Sequence, residues 1–255
     1  MSQPIKVLSP IRLRDFNPDY HEGLDKEKTR EKTLRLCERI GEFQELLYAD
    51  ASQSLLILLQ GMDTSGKDGA VRHVLQCVNP AGVQTANFKA PSHEELAHDF
   101  LWRVHQAVPR YGDIGVFNRS HYEDVLVVRV HEIVPKSEWS KRYAQINDFE
   151  RMLAENRVQI LKFFLLISKK EQAARLAARL EDPTKKWKFS AEDTKERAYW
   201  NDYIAAYDDM LRKCSTDYAP WHVVPSDRKW FRNLAVAQVL RDELKAMKLQ
   251  YPKPK

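Results

Sequence analysis

The feature that most constrains the fold of this chain is a glycine-rich segment that directly follows a short apolar run. The run Ser54–Gln60 (SLLILLQ) leads into Gly61–Gly69 (GMDTSGKDG), which matches G-x-x-x-x-G-K at every fixed position. A short apolar run bounded by a glycine-rich turn is typical of a buried strand. The glycines let successive backbone N–H groups point inward around phosphate oxygens, and the helix that follows directs its positive end to the same point. The segment therefore predicts a phosphate-binding loop between a strand and a helix.

The rest of the chain alternates short apolar runs with amphipathic, helical segments. Further strands are predicted at 83–88, 112–117, 160–167 and 221–224. Strands that are separated by helices form a parallel sheet covered on both faces, so we expect an α/β protein with about five parallel strands. Residues 1–23 carry three prolines without a clear period and are predicted to form an extended arm.

Composition excludes several classes of protein. Hydrophobic residues make up 43% and charged residues 30% of the 255, which is too apolar for a disordered chain and too polar for a membrane bundle. The three cysteines lack CxxC or histidine neighbours, so neither a disulfide framework nor a zinc site is indicated, and we expect a cytoplasmic protein. The net charge of +5 indicates an anionic partner, without choosing among nucleic acid, nucleotide and membrane surface.

The loop is the first candidate site. Its predicted phosphate-binding residues are Gly61, Thr64, Ser65, Gly66, Lys67, Asp68 and Gly69. Lys67 adds a full positive charge beside the transferring phosphoryl group. A carboxylate among phosphate-binding amides is unfavourable unless a cation lies between them, so we expect Asp63 to hold a divalent metal, Mg²⁺ or Mn²⁺. Asp68 replaces the usual Ser or Thr after the lysine; it is either a further metal ligand or a first-turn acid stabilised by the helix dipole.

A second candidate site follows the strand predicted at 112–117. Ligands collect beyond the carboxyl ends of parallel strands, so Asn118 and Arg119 are expected beside the loop. Asn118 occupies a position where P-loop folds often have a magnesium-binding aspartate, and it offers an oxygen without charge. The guanidinium of Arg119 suits a phosphate oxygen. Glu123 and Asp124 are either substrate contacts or acids at the start of a helix.

Basic residues elsewhere extend the expected anion site. The segment 169–188 carries seven Lys or Arg residues against three acids. Arg175 and Arg179 are four residues apart and share one helix face. Such a segment is either a cationic lid that binds a polyanion or a solvated, charged helix. Two further cations are candidate phosphate contacts: Lys89 and Arg129.

Taken together, these motifs resemble a known family. GMDTSGKDG, then FNRSHYEDV, DPTKKWKFSAEDTKERAYWNDY and STDYAPWHVVPSDRKWFRNLAV, are similar to the family-2 polyphosphate kinases over about residues 28–248. FNRSHYEDV resembles the family's class III, which is associated with phosphorylating both nucleoside mono- and diphosphates. The resemblance implies a three-layer α/β/α P-loop kinase fold, similar to thymidylate kinase, over 24–255. It also implies a helical lid at about 169–213, Mg²⁺ and a homo-oligomer, either a dimer or a tetramer.

The resemblance also assigns roles. Asp63 and Lys67 match the family's catalytic loop, Asn118 and Arg119 its second motif, and Arg179 a lid arginine. The implied activity is direct, in-line transfer of the terminal phosphoryl group of polyphosphate to AMP or ADP, with GMP and GDP as further acceptors. Neither nucleic acid nor membrane is an expected partner. Two alternatives stay open: an ATP-dependent nucleoside monophosphate kinase, and a non-catalytic polyanion-binding module.

Overall fold

A mixed six-stranded sheet forms the centre of the computed structural model, which describes residues 5–8, 11–184, 186–188 and 195–253. The strands are β1 (Ile5–Lys6), β2 (Ser54–Gln60), β3 (Val83–Ala86), β4 (Ile114–Asn118), β5 (Val158–Leu166) and β6 (Trp221–Pro225). Their order is β1-β6-β5-β2-β4-β3. Strands β2 to β6 are parallel, which confirms the expected sheet of about five strands. The arm supplies β1, which pairs antiparallel with β6.

Helices cover both faces of this sheet. Their bounds are α1 (Lys26–Asp50), α2 (Lys67–Val74), α3 (His93–Leu96), α4 (Trp102–Gln106), α5 (Val127–Val130), α6 (Lys136–Glu155), α7 (Lys169–Glu181), α8 (Trp200–Lys213) and α9 (Lys229–Ala246). The predicted lid spans α7 and α8, and its residues 185 and 189–194 lie outside the described residues. None of the described helices is both long enough and apolar enough to cross a lipid bilayer.

Two apolar layers result from the alternation of side chains along the central strand. Leu55, Ile57 and Leu59 of β2 pack in a core with α1, α2 and α9. Leu56 and Leu58 pack in the opposite core with α6 and α8. Because both faces are covered, β2 is buried over its whole length, as its unbroken apolar sequence predicts. The three-layer α/β/α arrangement expected from the resemblance is therefore present.

One predicted element differs from the structure. The pattern at 94–108 predicts a single helix, but the structure has two short helices, α3 and α4, in that region. The Asp99 side chain accepts a hydrogen bond from the backbone N–H of Leu101 (2.9 Å). A side chain that bonds its own backbone in this way competes with the continuing helix.

The strand order creates a crevice beside the central strand. From β2 the chain runs to β3 and β4 on one side of the sheet and later to β5 and β6 on the other. Ligands of parallel sheets bind at such a switch point, outside the carboxyl ends of the strands. The register pairs Leu59 with Asn118, so the loop that follows β2 lies next to the segment that follows β4. The fold thus brings the two candidate sites together.

Candidate active site

The loop between β2 and α2 has a backbone that depends on glycine. Gly61 and Gly66 have φ angles of 146° and 101°, a region that residues with a Cβ rarely adopt. A Cβ at Gly61 would also lie 2.6 Å from the carbonyl oxygen of Leu165 on β5. The hydroxyl oxygens of Thr64 and Ser65 are buried and have no hydrogen-bond partner among the described residues. The loop therefore offers buried polar groups that the described residues do not satisfy.

Lys67, the first residue of α2, lies against this loop. Its Nζ donates to the carbonyl oxygens of Gly61 (2.7 Å) and Met62 (3.4 Å), and the residue is only 9% exposed. Burial, followed by the nearby charge of Arg119, lowers the pKa of Lys67 to about 8, although neighbouring carboxylates act in the opposite direction. An anion bound in the loop would favour the charged form of this amine.

Asp63 and Arg119 join the loop to the end of β4. Arg119 Nη2 donates to Asp63 Oδ1 at 2.7 Å, and both side chains are partly exposed. Arg119 has a φ of 67°, and its backbone N–H donates to Leu59 O (3.2 Å). Burial acts to lower the pKa of Arg119, but the carboxylates of Glu123 and Asp63 outweigh it and raise the pKa. The guanidinium is therefore a fixed positive charge at the junction of the two motifs.

Asn118 and Asp68 form a second link between the motifs. Asn118 Nδ2 donates to Asp68 Oδ1 at 2.6 Å. In the part of the chain that the structure describes, no group of three His, Cys, Asp or Glu side chains could enclose a metal ion. Mg²⁺ commonly binds through one or two carboxylates together with water and substrate phosphates, so Asp63 and Asp68 fit such a partial set of ligands.

Glu123 and Asp124 both belong to the short 3-10 turn at His121–Val125, but they face different cations. Glu123 faces Lys67 and Arg119, and burial raises its pKa even though these two cations oppose the shift. Asp124 instead pairs with Arg142 on α6, with 2.8 Å between Oδ1 and Nη1. The structure therefore brings Glu123 to the loop and leaves Asp124 outside the site.

Three of the expected phosphate contacts do not face the loop as predicted, and two of them, Arg129 and Arg175, have other partners. Arg129 donates to Asp209 Oδ2 on α8 at 2.8 Å. Neither Arg129 nor Lys89, both in the described part of the chain, lines a cleft at the loop. The buried Arg175 donates to carbonyl oxygens of the loop, at Thr64 (2.9 Å) and Ser65 (3.2 Å). It therefore holds the loop in place through the loop's backbone.

Two clefts open at the loop. The larger has a volume of about 1130 Å³ and is strongly basic. Its cationic lining residues are Arg30, Lys67, Arg72, Arg119, Arg175, Arg179, Lys229 and Arg232, and its acidic ones are Asp63 and Asp68. The smaller cleft lies against α8 and is lined by aromatic rings and by both signs of charge; these residues are Glu123, Glu196, Arg197, Trp200, Tyr203 and Tyr207. Asp63 and Arg119 line both clefts, so this ion pair marks the point where they meet.

Several lining residues were not predicted from the sequence. Arg72, Lys229 and Arg232 of the large cleft belong to α2 and α9, and the rings of the small cleft belong to α8. For Lys229 and Arg232 a signal exists, because they follow the carboxyl end of β6, where ligands of parallel sheets collect. The rings on α8 carry no comparable signal, since aromatic residues at helical spacing are as often part of a core.

Comparison with known proteins identifies the family. The family model for polyphosphate kinase 2 matches residues 23–252. The chain belongs to the polyphosphate kinase 2 family. Enzymes of this family transfer phosphoryl groups between polyphosphate and nucleotides, and as kinases they generally use a divalent metal ion.

Individual relatives are similar to this chain over nearly its whole length. An AMP/ADP-polyphosphate phosphotransferase of Meiothermus ruber is 49% identical over 246 residues, which cover 96% of this chain and 92% of that protein. An ADP-polyphosphate phosphotransferase of Rhodopseudomonas palustris is 46% identical, over 89% of this chain and 83% of that protein. The crystal structure of polyphosphate kinase 2 from Arthrobacter aurescens TC1 superimposes with a TM-score of 0.93 at 44% identity, covering 100% of this chain and 95% of that one. The expected P-loop kinase fold is thereby confirmed.

Proposed function

We propose that this member of the polyphosphate kinase 2 family transfers the terminal phosphoryl group of inorganic polyphosphate to a nucleotide, converting AMP to ADP and ADP to ATP. The observation that carries this proposal is the meeting of a large basic cleft and a small aromatic cleft at the Asp63–Arg119 ion pair. A donor and an acceptor bound in the two clefts would face each other at that pair. The relatives named as AMP/ADP- and ADP-polyphosphate phosphotransferases support both acceptors.

The large cleft suits the polymeric donor. Inorganic polyphosphate is a flexible chain of negative charges without bases or sugars, so its recognition depends on cations and on hydrogen-bond donors. The cleft supplies both: basic residues from α1, α2, α7 and α9, and the hydroxyl group of Thr64, which has no hydrogen-bond partner among the described residues. Arg179, on the side of α7 that lines the cleft, would bind the donor beyond its terminal phosphate.

The small cleft suits the nucleotide acceptor. Aromatic rings of Trp200, Tyr203 and Tyr207 line this cleft, and a nucleobase that enters it would stack there for about 1–3 kcal/mol. Arg197 adds a cation for the acceptor's phosphate, and Glu123 also lines the cleft. A base held by stacking rather than by a set of hydrogen bonds would also allow GMP and GDP as acceptors.

Charge neutralisation is the main task of the residues at the junction. Two unit charges 4 Å apart repel by about 4 kcal/mol near a protein surface, and donor and acceptor each carry more than one. Lys67 and Arg119 offset this repulsion and align the terminal phosphate with the acceptor oxygen. The acceptor is a phosphate that is already ionised at neutral pH, so in-line transfer needs no general base. We assign Asp63 a role in metal binding.

A divalent ion fits this arrangement. Mg²⁺, or Mn²⁺ in its place, would be held by Asp63, with Asp68 and Asn118 as further candidate ligands, and would neutralise charge on the transferring phosphoryl group. We also propose a homo-oligomer and a cytoplasmic location. The location is supported by the three cysteines, which are all free thiols.

A donor–acceptor matrix tests the proposed function. Purified enzyme is incubated with Mg²⁺, either long-chain polyphosphate or ATP as donor, and AMP or ADP as acceptor, and products are followed by chromatography. Polyphosphate should yield ADP from AMP and ATP from ADP, and Lys67→Ala should abolish both reactions. Lys141→Ala, an exposed position on α6, should retain full activity. Turnover with ATP and AMP but none with polyphosphate would replace the proposal by an ATP-dependent monophosphate kinase.

A further inference from the structure

Arg232 on α9 is a buried cation that has no acidic partner in the described part of the chain. The residue is 2% exposed, and among the described residues no carboxylate forms an ion pair with it. Its Nε and Nη2 donate to Asn233 Oδ1 (3.2 and 2.7 Å), and its Nη1 donates to Ser65 O (3.4 Å). Buried arginines are nearly always paired, because an isolated buried charge is costly. The chain therefore maintains an unfavourable charge at this point.

The guanidinium lies directly beneath the phosphate loop. A Cβ at Gly66 would lie 1.8 Å from Arg232 Nη1, and a Cβ at Gly69 would lie 3.1 Å from Nη2. The two glycines thus leave the space that the guanidinium fills. Arg232 also lines the large cleft, so its charge acts on the bound phosphates from the protein side of the loop.

A neighbouring cation, Arg175, makes this charge still less favourable. Burial, followed by the nearby charge of Arg175, lowers the pKa of Arg232 to about 10. Arg175 itself pairs with Glu171 (2.8 Å), whereas Arg232 relies on one amide oxygen and one backbone carbonyl. A polyanion in the loop would supply the negative charge that the surrounding side chains do not provide.

We propose that Arg232 is a further residue of the donor site, a positioning residue that supports the loop at Ser65 and leaves positive charge uncompensated until donor phosphates bind. The inference rests on the proposed function, because it requires the donor to occupy the loop. If Arg232 has this role, a variant without its charge should differ from wild type in two ways, in stability and in donor binding. The ligand-free protein becomes at least as stable as wild type, since a buried charge that is not offset has been removed. Binding of the donor becomes weaker.

Thermal unfolding and kinetics of Arg232→Met and Arg232→Lys test this inference. The melting temperature is measured without ligand and with inorganic tripolyphosphate, and KM and kcat are measured for polyphosphate and for AMP. Arg232→Met should match or exceed the wild-type melting temperature without ligand and should gain less from tripolyphosphate. Its KM for polyphosphate should rise about tenfold, as expected when the positive charge beneath the loop is lost, while its KM for AMP stays within about twofold. The values for Arg232→Lys should lie between those of wild type and those of Arg232→Met.

Arg241→Met is the matched control. Arg241 is on the same helix and pairs with Asp242 at the surface, so this variant should resemble wild type in every measurement.

An Arg232→Met protein that fails to fold, or that melts lower while tripolyphosphate binding and the KM for polyphosphate are unchanged, would show that Arg232 is purely structural. If wild type itself neither binds tripolyphosphate nor transfers phosphate, the proposed function fails. If wild type does both and the Arg232 variants match it, only this inference fails.

Discussion

Replacing Lys162 by methionine should destabilise the protein strongly, because it breaks a buried ion pair behind the second motif. Lys162 and Glu150 are 0% and 1% exposed, and Lys162 Nζ lies 2.5 Å from Glu150 Oε2. The same amine donates to the hydroxyl of Tyr122 (2.9 Å) and to Cys214 O (2.6 Å). Glu150 also accepts from Tyr122 (2.8 Å) and contacts His121 (3.3 Å). Lys162→Met leaves this carboxylate buried without a cation.

The size of the loss follows from this burial. Removing one partner of a buried pair costs about 3–5 kcal/mol, a large share of a typical total stability of about 5–15 kcal/mol. For a chain of this size, 1 kcal/mol shifts the melting temperature by about 2–4 °C, so the expected fall is about 6–20 °C. The double variant Lys162→Met/Glu150→Gln should recover most of the lost stability, because a neutral amide replaces the unpaired carboxylate.

The pH dependence gives a second readout. In wild type, burial acts to raise the pKa of Glu150, but Lys162 and His121 outweigh it and the pKa is lowered. The pair therefore stabilises the protein above the ordinary pKa of a glutamate, and this contribution is lost as the pH falls through the lowered value. Without Lys162, burial prevails and Glu150 takes up a proton on folding. The difference in stability between Lys162→Met and wild type should therefore be smaller at pH 5 than at pH 8.

Scanning calorimetry at pH 5 and pH 8 measures the melting temperatures of wild type, Lys162→Met and the double variant. Arg151→Met, which removes an exposed ion pair with Asp148 on the same helix as Glu150, should change the stability by no more than about 1 kcal/mol. The reasoning is refuted if Lys162→Met melts within about 3 °C of wild type at pH 8, or if adding Glu150→Gln recovers nothing.

Three further predictions concern activity. Arg119→Met should lower kcat by about 10²–10³-fold, because it removes a cation at the junction of both clefts; steady-state kinetics showing less than a tenfold loss would contradict this. Glu123→Ala should impair the use of AMP more than ADP, since a monophosphate must bring its ribose closer to the junction; equal losses in kcat/KM would argue against that role. Removal of divalent ions with EDTA should abolish transfer and Mg²⁺ should restore it, and activity that persists in EDTA would exclude a required metal.

The sequence predicts the part of the site that depends on local signals and on sheet topology. The apolar run, the glycine spacing and the helix start locate the loop, and the rule for parallel sheets brings Arg119 to it. The ion pair between Asp63 and Arg119 (2.7 Å) and the link between Asn118 and Asp68 (2.6 Å) agree with that expectation. These contacts are predictable because the carboxyl ends of neighbouring strands are set by the sheet itself.

Side-chain directions and contacts between distant segments are not predictable in this way. Asp124 follows Glu123 directly, yet the 3-10 turn directs the two carboxylates to different partners. Arg175 is a residue type that often binds phosphate. In the structure, however, its guanidinium donates hydrogen bonds to backbone oxygens of the folded loop. Arg232 follows the carboxyl end of β6, which is a general signal, but its place beneath Gly66, more than 160 residues earlier in the chain, is visible only in the folded structure.

The most direct test of the proposed phosphoryl transfer is a crystal structure of the enzyme with AMP, Mg²⁺ and a non-hydrolysable, methylene-bridged polyphosphate. The terminal phosphate of the analogue should lie within hydrogen-bonding distance of Lys67 Nζ, and the phosphate of AMP should approach it from the side of Arg119. Electron density for both ligands away from the Asp63–Arg119 junction would contradict the proposed transfer.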